Sequence, residues 1–213
     1  NYALTNGTAL GGAIANIVDS TMETATSSIG SITGDFIDNN VEGDVNAFGG
    51  AVYNALGGTN TNAVASIEAL NGNFTQNYAR SSNGDALGGA VYNANPVNTT
   101  PLETPFNPAE NTSTGSSATI DSISGNFTDN YVEANSGDAF GGAIYNEAYE
   151  ASEADTAVIS SVSGEFSGNY AMSEDGNAAG GAIYNTGTIG EAVEPVADAD
   201  RLLSPVRSIR PRR

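Results

Sequence analysis

The chain has no cysteine, no histidine, no tryptophan and no lysine. Without cysteine there are no disulfides, no thiolate chemistry and no cysteine-ligated metals, a composition compatible with secretion. Without histidine as well, Ser-His-Asp and Cys-His nucleophilic sites and the usual zinc centres are excluded. Positive charge is scarce too. Of six arginines only Arg80 lies in the body; Arg201, Arg207, Arg210, Arg212 and Arg213 crowd one terminal segment. All 25 acids lie at or before Asp200, so residues 1–200 carry 25 minus 1, a net -24, and residues 201–213 carry +5, for the total of -19. Nucleic acid and anionic lipid both need a basic footprint. The expectation is therefore no nucleic-acid partner and no direct membrane insertion. No run approaches the roughly 20 apolar residues of a membrane span. No signal peptide opens the sequence, so any targeting segment is expected to have been removed.

What is abundant is Gly (26 residues), with Asn, Ser, Thr and Ala, while 9 Tyr and 7 Phe supply material for a thin core. Gly costs a helix about 1 kcal/mol relative to Ala, so helices are disfavoured throughout. The dominant signal is an internal repeat. GGAI or GGAV begins at Gly11, Gly49, Gly88, Gly141 and Gly180, at spacings of 38, 39, 53 and 39 residues. A second motif alternates with it: Ile29-x-x-Ile32-x-Gly34-x-Phe36-x-x-Asn39. It recurs on Ile67, Leu70, Gly72, Phe74 and Asn77, on Ile120, Ile123, Gly125, Phe127 and Asn130, and on Ile159, Val162, Gly164, Phe166 and Asn169.

Each unit offers apolar patches two to four residues wide between Gly and Asn turns, too small to be buried alone. Stacking units at the strand spacing of about 4.8 Å would line up equivalent side chains as continuous columns. Gly supplies the left-handed corners, and stacked Asn side chains can bond to one another as ladders. The prediction is an all-β fold, a right-handed parallel β-helix (β-solenoid), over residues 1–190. Two motifs per repeat suggest two coils of about 19 residues each, hence about nine coils and a rod roughly 45 Å long. A helical repeat fails because glycine falls inside every candidate helix. A β-propeller needs four alternating strands per unit, and these units show only short ones. Residues 94–117 hold Pro96, Pro101, Pro105 and Pro108 and predict a loop excursion that leaves the repeat and returns in phase.

The alternation of GGAIAN, GGAVYN, GGAVYN, GGAIYN and GGAIYN with FIDN, FTQN, FTDN and FSGN resembles the chlamydial polymorphic outer-membrane protein family of autotransporter passengers. The resemblance covers nearly residues 1 to 190. It implies an extracellular, cell-surface β-helix, often adhesive, with a cell-surface receptor or glycan as partner.

The chemistry left to such a chain is narrow. Paired carboxylates could serve a polysaccharide-active enzyme, and Asp44, Asp85 and Asp138 precede the GGA turn, with Asp175 in the last copy. An active site is a unique constellation, and recurrence along a rod argues against one; the expectation is no enzyme and no catalytic residue. The same turn acids could hold Ca2+, a hard cation that takes oxygen ligands, but solvated turn acids are the expectation; no other cofactor or metal is expected. Sequons stand at Asn6, Asn73, Asn98, Asn111 and Asn126.

Asn1-Tyr2-Ala3 matches Asn77-Tyr78-Ala79 and Asn169-Tyr170-Ala171, so the sequence starts within a motif. Val206-x-x-Ile209 imitates the Ile-x-x-Ile spacing inside the extension 191–213, which ends in a basic tail. Two expectations compete: a piece of a longer passenger with Arg-Pro-Arg-Arg as a processing site, or a filament subunit stacking head to tail. In the second, the assembly residues are Asn1, Tyr2, Arg201, Val206, Arg207, Ile209, Arg210, Arg212 and Arg213, the basic tail lying on the acidic body of a neighbouring copy.

Overall fold

A computed structural model describes residues 1–19, 24–57, 62–95, 115–148 and 156–190. These residues form 25 strands and no helix. The first coil runs through β1 (Tyr2–Thr5), β2 (Thr8–Leu10), β3 (Ile14–Asp19), β4 (Thr26–Thr33) and β5 (Phe36–Ile37). The second runs through β6 (Asn40–Gly43), β7 (Asn46–Phe48), β8 (Val52–Gly57), β9 (Val64–Asn71) and β10 (Phe74–Thr75). In the third are β11 (Tyr78–Ser81), β12 (Ala86–Leu87), β13 (Val91–Asn95), β14 (Ser117–Ser124) and β15 (Phe127–Thr128). The fourth has β16 (Tyr131–Ala134), β17 (Ala139–Phe140), β18 (Ile144–Ala148), β19 (Thr156–Ile159), β20 (Val162–Ser163) and β21 (Phe166–Ser167). In the fifth are β22 (Tyr170–Ser173), β23 (Ala178–Ala179), β24 (Ile183–Asn185) and β25 (Thr188–Ile189).

Equivalent strands pair in parallel to make five sheets: I (β1-β6-β11-β16-β22), II (β2-β7-β12-β17-β23), III (β3-β8-β13-β18-β24), IV (β4-β9-β14-β19-β25, with β20 also on β14) and V (β5-β10-β15-β21). The fold is a parallel β-helix, as the repeat predicts. The coil number differs from the sequence expectation. Register partners are a full repeat apart, as in Tyr2↔Asn40, Tyr78↔Tyr131 and Tyr131↔Tyr170. One coil is therefore a whole repeat, and the described residues make five coils rather than nine, a stack of about 24 Å at the usual strand spacing. GGA and FxxN are two corners of one coil and never stack on each other. Across the Pro-rich segment the register resumes without slip, Ser117 pairing with Val64 and Phe127 with Phe74.

Why this register holds is visible inside. Phe36, Phe74, Phe127 and Phe166 stack at 4.6, 4.7 and 4.6 Å between ring centroids, and Phe74 and Phe127 are fully buried. Ile67, Leu70, Ile120, Ile123, Val52, Val91 and Ile144 complete that compartment between sheets III, IV and V. A one-residue slip would turn every one of them outward. A second, thinner compartment of Val41, Ala79, Val132, Ala47, Ala86 and Ala139 fills the space between sheets I and II. The GG corner separates the two. Gly49, Gly88 and Gly141 have φ of 67, 66 and 70°, and a Cβ on Gly50 or Gly89 would collide with the Tyr78 or Tyr131 carbonyl at the start of the next coil's sheet I strand.

Two asparagine ladders satisfy the polar corners. Asn16, Asn54, Asn93, Asn146 and Asn185 pass a hydrogen bond from Nδ2 to the next Oδ1 at 2.7, 2.7, 2.7 and 2.8 Å. In the second, Asn1, Asn39, Asn77, Asn130 and Asn169 do the same at 2.8, 3.0, 2.9 and 2.9 Å. Asn130 and Asn169 also donate to the Phe74 and Phe127 carbonyls, at 2.8 Å each. This is why FxxN ends in Asn: a carboxamide one turn past Phe both donates and accepts at a corner where buried backbone groups would otherwise lack partners.

Candidate functional site

Most columns repeat one residue type, which suits a scaffold and gives no unique chemistry. The outer face of sheet I departs from that rule. Inward alanine and valine fix the register, so the first and third residues of each strand point out. The first-residue column reads Tyr2, Asn40, Tyr78, Tyr131, Tyr170, and the third reads Leu4, Glu42, Arg80, Glu133, Met172.

The two columns are bonded to each other. The Glu42 carboxylate accepts from Tyr2 Oη at 2.6 Å and from Tyr78 Oη at 2.7 Å, and so joins phenols two coils apart. Arg80 reaches Glu42 at 3.4 Å and donates to Glu133 through Nη2 at 2.6 Å and Nε at 2.8 Å. Glu133 also accepts from Tyr170 Oη at 3.1 Å. Tyr78 stacks on Tyr131 at 4.8 Å and Tyr131 on Tyr170 at 4.9 Å, and the Arg80 guanidinium lies 5.2 Å over the Tyr78 ring. Burial pushes the Glu42 carboxyl up, but the two phenols and the Arg80 charge together hold it below its ordinary value. Burial followed by the Glu133 hydrogen bond raises the Tyr170 phenol to about 12; burial and the Glu42 bond raise Tyr78 as well. At the ends of the face Leu4 is 68% exposed and Met172 49%.

A second tyrosine column, Tyr53, Tyr92, Tyr145 and Tyr184, points outward from sheet III but is covered. It packs with Phe48, Leu87 and Phe140 of sheet II in the re-entrant angle made by the GG corner. Rings stack at 4.9, 5.1 and 5.3 Å. Glu147 accepts from Tyr145 Oη, and burial, then the nearby Asp85 charge, raises its carboxyl above the ordinary value.

The turn acids do not form the single recurring set that the sequence suggests. Register places Asp85 and Asp138 in one column with Asn46 and Asn177: the Asp85 N–H donates to Asn46 Oδ1 at 2.9 Å, the Asp138 N–H to Asp85 Oδ1 at 2.9 Å, and the Asn177 N–H to Asp138 Oδ1 at 2.7 Å. Asp44 and Asp175 fall two residues earlier, ahead of Asn46 and Asn177, which take the column position in their coils. Burial, then the Asp138 charge, raises the Asp85 carboxyl. Among the described residues no three acidic side chains converge as a metal ion would require, and no helix is long and apolar enough to cross a membrane.

Of the predicted assembly residues, Asn1 and Tyr2 lie in the first coil, bonded to Asn39 and Glu42. Arg201, Val206, Arg207, Ile209, Arg210, Arg212 and Arg213 lie outside the described residues, as do sequon residues Asn98 and Asn111. Sequence reasoning singled out Arg80 only as the lone cation of the body. It missed the network around it, although Tyr-x-[Arg/Glu/Met] directly after three of the four FxxN motifs, and Asn40-Val41-Glu42 after the other, mark the columns that form it. No family model, no curated protein and no solved structure matches the chain.

Proposed function

We propose that the protein is an extracellular structural and adhesive β-solenoid of autotransporter-passenger type, a rod that presents a side wall to a cell-surface receptor or glycan and does no catalysis. One observation carries this reading. The inward columns repeat one residue class, whereas the exposed wall of sheet I carries Glu42, Arg80 and Glu133 on consecutive rungs, where they form the ion pairs found among the described residues. A wall that changes from rung to rung can be recognised at one place along the rod; a uniform wall cannot. The carboxylates on that wall are engaged by Arg80 and the phenols, an arrangement that suits presentation of shape rather than proton transfer. The test is retention of bead-displayed protein on a glycan array and on intact cells. Retention that falls when Tyr131 and Arg80 are both replaced by Ala is expected; no retention on any surface contradicts adhesion.

A second reading, head-to-tail association of copies into a filament, is favoured by the equivalence of coils. Asn1, Tyr2 and Ala3 occupy the ladder positions of Asn169, Tyr170 and Ala171, so a stacked copy would extend the Asn ladder and sheet I with like residues. Sedimentation of the intact chain at micromolar concentration tests it. Salt-sensitive polymers support electrostatic help from residues 201–213; a monodisperse monomer in low and moderate salt removes it.

A further inference from the structure

Tyr131 and Tyr170 sit on adjacent rungs of an accessible wall, their rings stacked nearly parallel (3°) with centroids 4.9 Å apart. Tyr170 is 41% exposed, and its hydroxyl points at the Glu133 carboxylate, 3.1 Å away. A carboxylate so placed takes the phenolic proton as the ring loses an electron. Tyr78 extends the stack on the other side of Tyr131, but the Arg80 cation over its ring opposes a positive charge there. We propose that Tyr131 and Tyr170 form an oxidative modification site, at which the two rings are joined by a carbon–carbon bond into dityrosine that staples the fourth coil to the fifth.

The oxidant class is hydrogen peroxide acting through a haem peroxidase. Each phenol gives up one electron to the peroxidase and one proton, that of Tyr170 to Glu133 and that of Tyr131 to solvent. The two phenoxyl radicals join through ring carbons ortho to oxygen, and the hydrogens on those carbons move to the oxygens as the rings regain aromaticity. Two electrons and two protons leave the protein and convert one hydrogen peroxide to two waters. The buried column cannot react in this way, because Tyr92 and Tyr145 are enclosed and a peroxidase-generated oxidant has no route to them.

The same-molecule geometry makes the bond efficient. With neighbouring phenols at an effective concentration in the millimolar range or above, coupling within a molecule exceeds coupling between micromolar molecules by about a thousandfold. The test treats purified chain at micromolar concentration with peroxidase and peroxide. Dityrosine fluorescence, a mass loss of two hydrogens on a chain that still runs as a monomer, and a Tyr131–Tyr170 linked peptide are expected. Tyr131→Phe keeps the ring and removes the phenol, so its fluorescence should fall to about the intermolecular background, a tenth or less of the parent. Tyr145→Phe, in the covered column, should keep the parent yield. An absence of dityrosine in a chain whose circular dichroism shows native strand, linkage only between molecules, or equal yield from Tyr131→Phe would each overturn the proposal.

Discussion

The two tyrosine columns have the same spacing, the same ring stacking and acids close by, yet their surroundings are opposite. On sheet I the acids are accompanied by Arg80 and by three phenol donors, and Glu42 is held in its charged form. In the re-entrant angle between sheets II and III no arginine is present among the described residues, and burial pushes Glu147 and Asp85 towards the neutral form. Repetition thus fixes where a side chain lies, and the angle between neighbouring sheets fixes what its environment does to it. The GG corner makes that angle, so the glycines divide a compensated outer wall from an uncompensated covered one.

The comparison breaks most sharply on truncation of a ring. Tyr92 stacks between Tyr53 and Tyr145 at 3% exposure. Tyr92→Ala should cost about 3–5 kcal/mol, the usual figure for a buried aromatic, and lower the urea midpoint to match. Tyr131→Ala, in the half-buried column, should cost only about 0.5–1.5 kcal/mol, chiefly its ring contacts. Equal losses would mean that the two columns are equally enclosed.

A smaller effect comes from removing the compensating cation. Arg80 is 43% exposed in its side chain, so Arg80→Ala should cost about 0.5–1 kcal/mol at neutral pH. The loss should shrink in acid, where Glu42 no longer needs a partner. Thermal melts of both proteins at neutral and acidic pH give the two differences; a pH-independent loss would show that Arg80 contributes packing alone.

The smallest and most diagnostic effect is in the sign of pH dependence. Glu147 is raised above 4.5 and Asp85 above 3.8, so each penalises the fold when charged. That penalty fades as pH falls through their folded values. Glu42 is lowered below 4.5; its stabilisation is complete above 4.5 and is lost as pH falls from there through its folded value. Mild acidification should therefore raise the melting temperature and stronger acid should lower it. Asp85→Asn places in the column the residue that Asn46 and Asn177 already supply. It should raise stability at pH 7 by a few tenths to about 1 kcal/mol, as relief of a like-charge cross-strand pair does, and should flatten the rise on mild acidification. Destabilisation by Asp85→Asn at pH 7 would reverse the assignment.

The architecture was legible because its causes are local and repeated. GGA reports a corner that admits no Cβ, and Phe-x-x-Asn reports a buried ring followed by a carboxamide that bonds the next coil. The coil length was not legible in the same way. Two motifs in alternation look alike to a search for apolar patches, and only the fact that Phe must stack on Phe and Gly on Gly makes one coil of both. The Ala compartment gave little hydrophobic signal, since Ala47, Ala86 and Ala139 look like filler until sheet I lies across from them. The sheet I network was hidden for another reason. Glu42, Arg80 and Glu133 are 38 and 53 residues apart in sequence, and only a coil that spans a whole repeat, whichever its length, brings them onto consecutive rungs.

That coil length is open to a direct chemical measurement, because the chain has no cysteine of its own. Thr75 and Thr128 are outward register partners on neighbouring rungs of sheet V, and Ile37 lies one rung further from Thr128. In the double variant Thr75→Cys/Thr128→Cys the Cα atoms would be about 4.8 Å apart, within disulfide range. In Ile37→Cys/Thr128→Cys they would be about twice that distance and outside it. Rapid intramolecular disulfide formation in the first variant and none in the second is the result predicted for stacked full-repeat coils. A pair at 75 and 128 that stays reduced, or a pair at 37 and 128 that closes as readily, would contradict it.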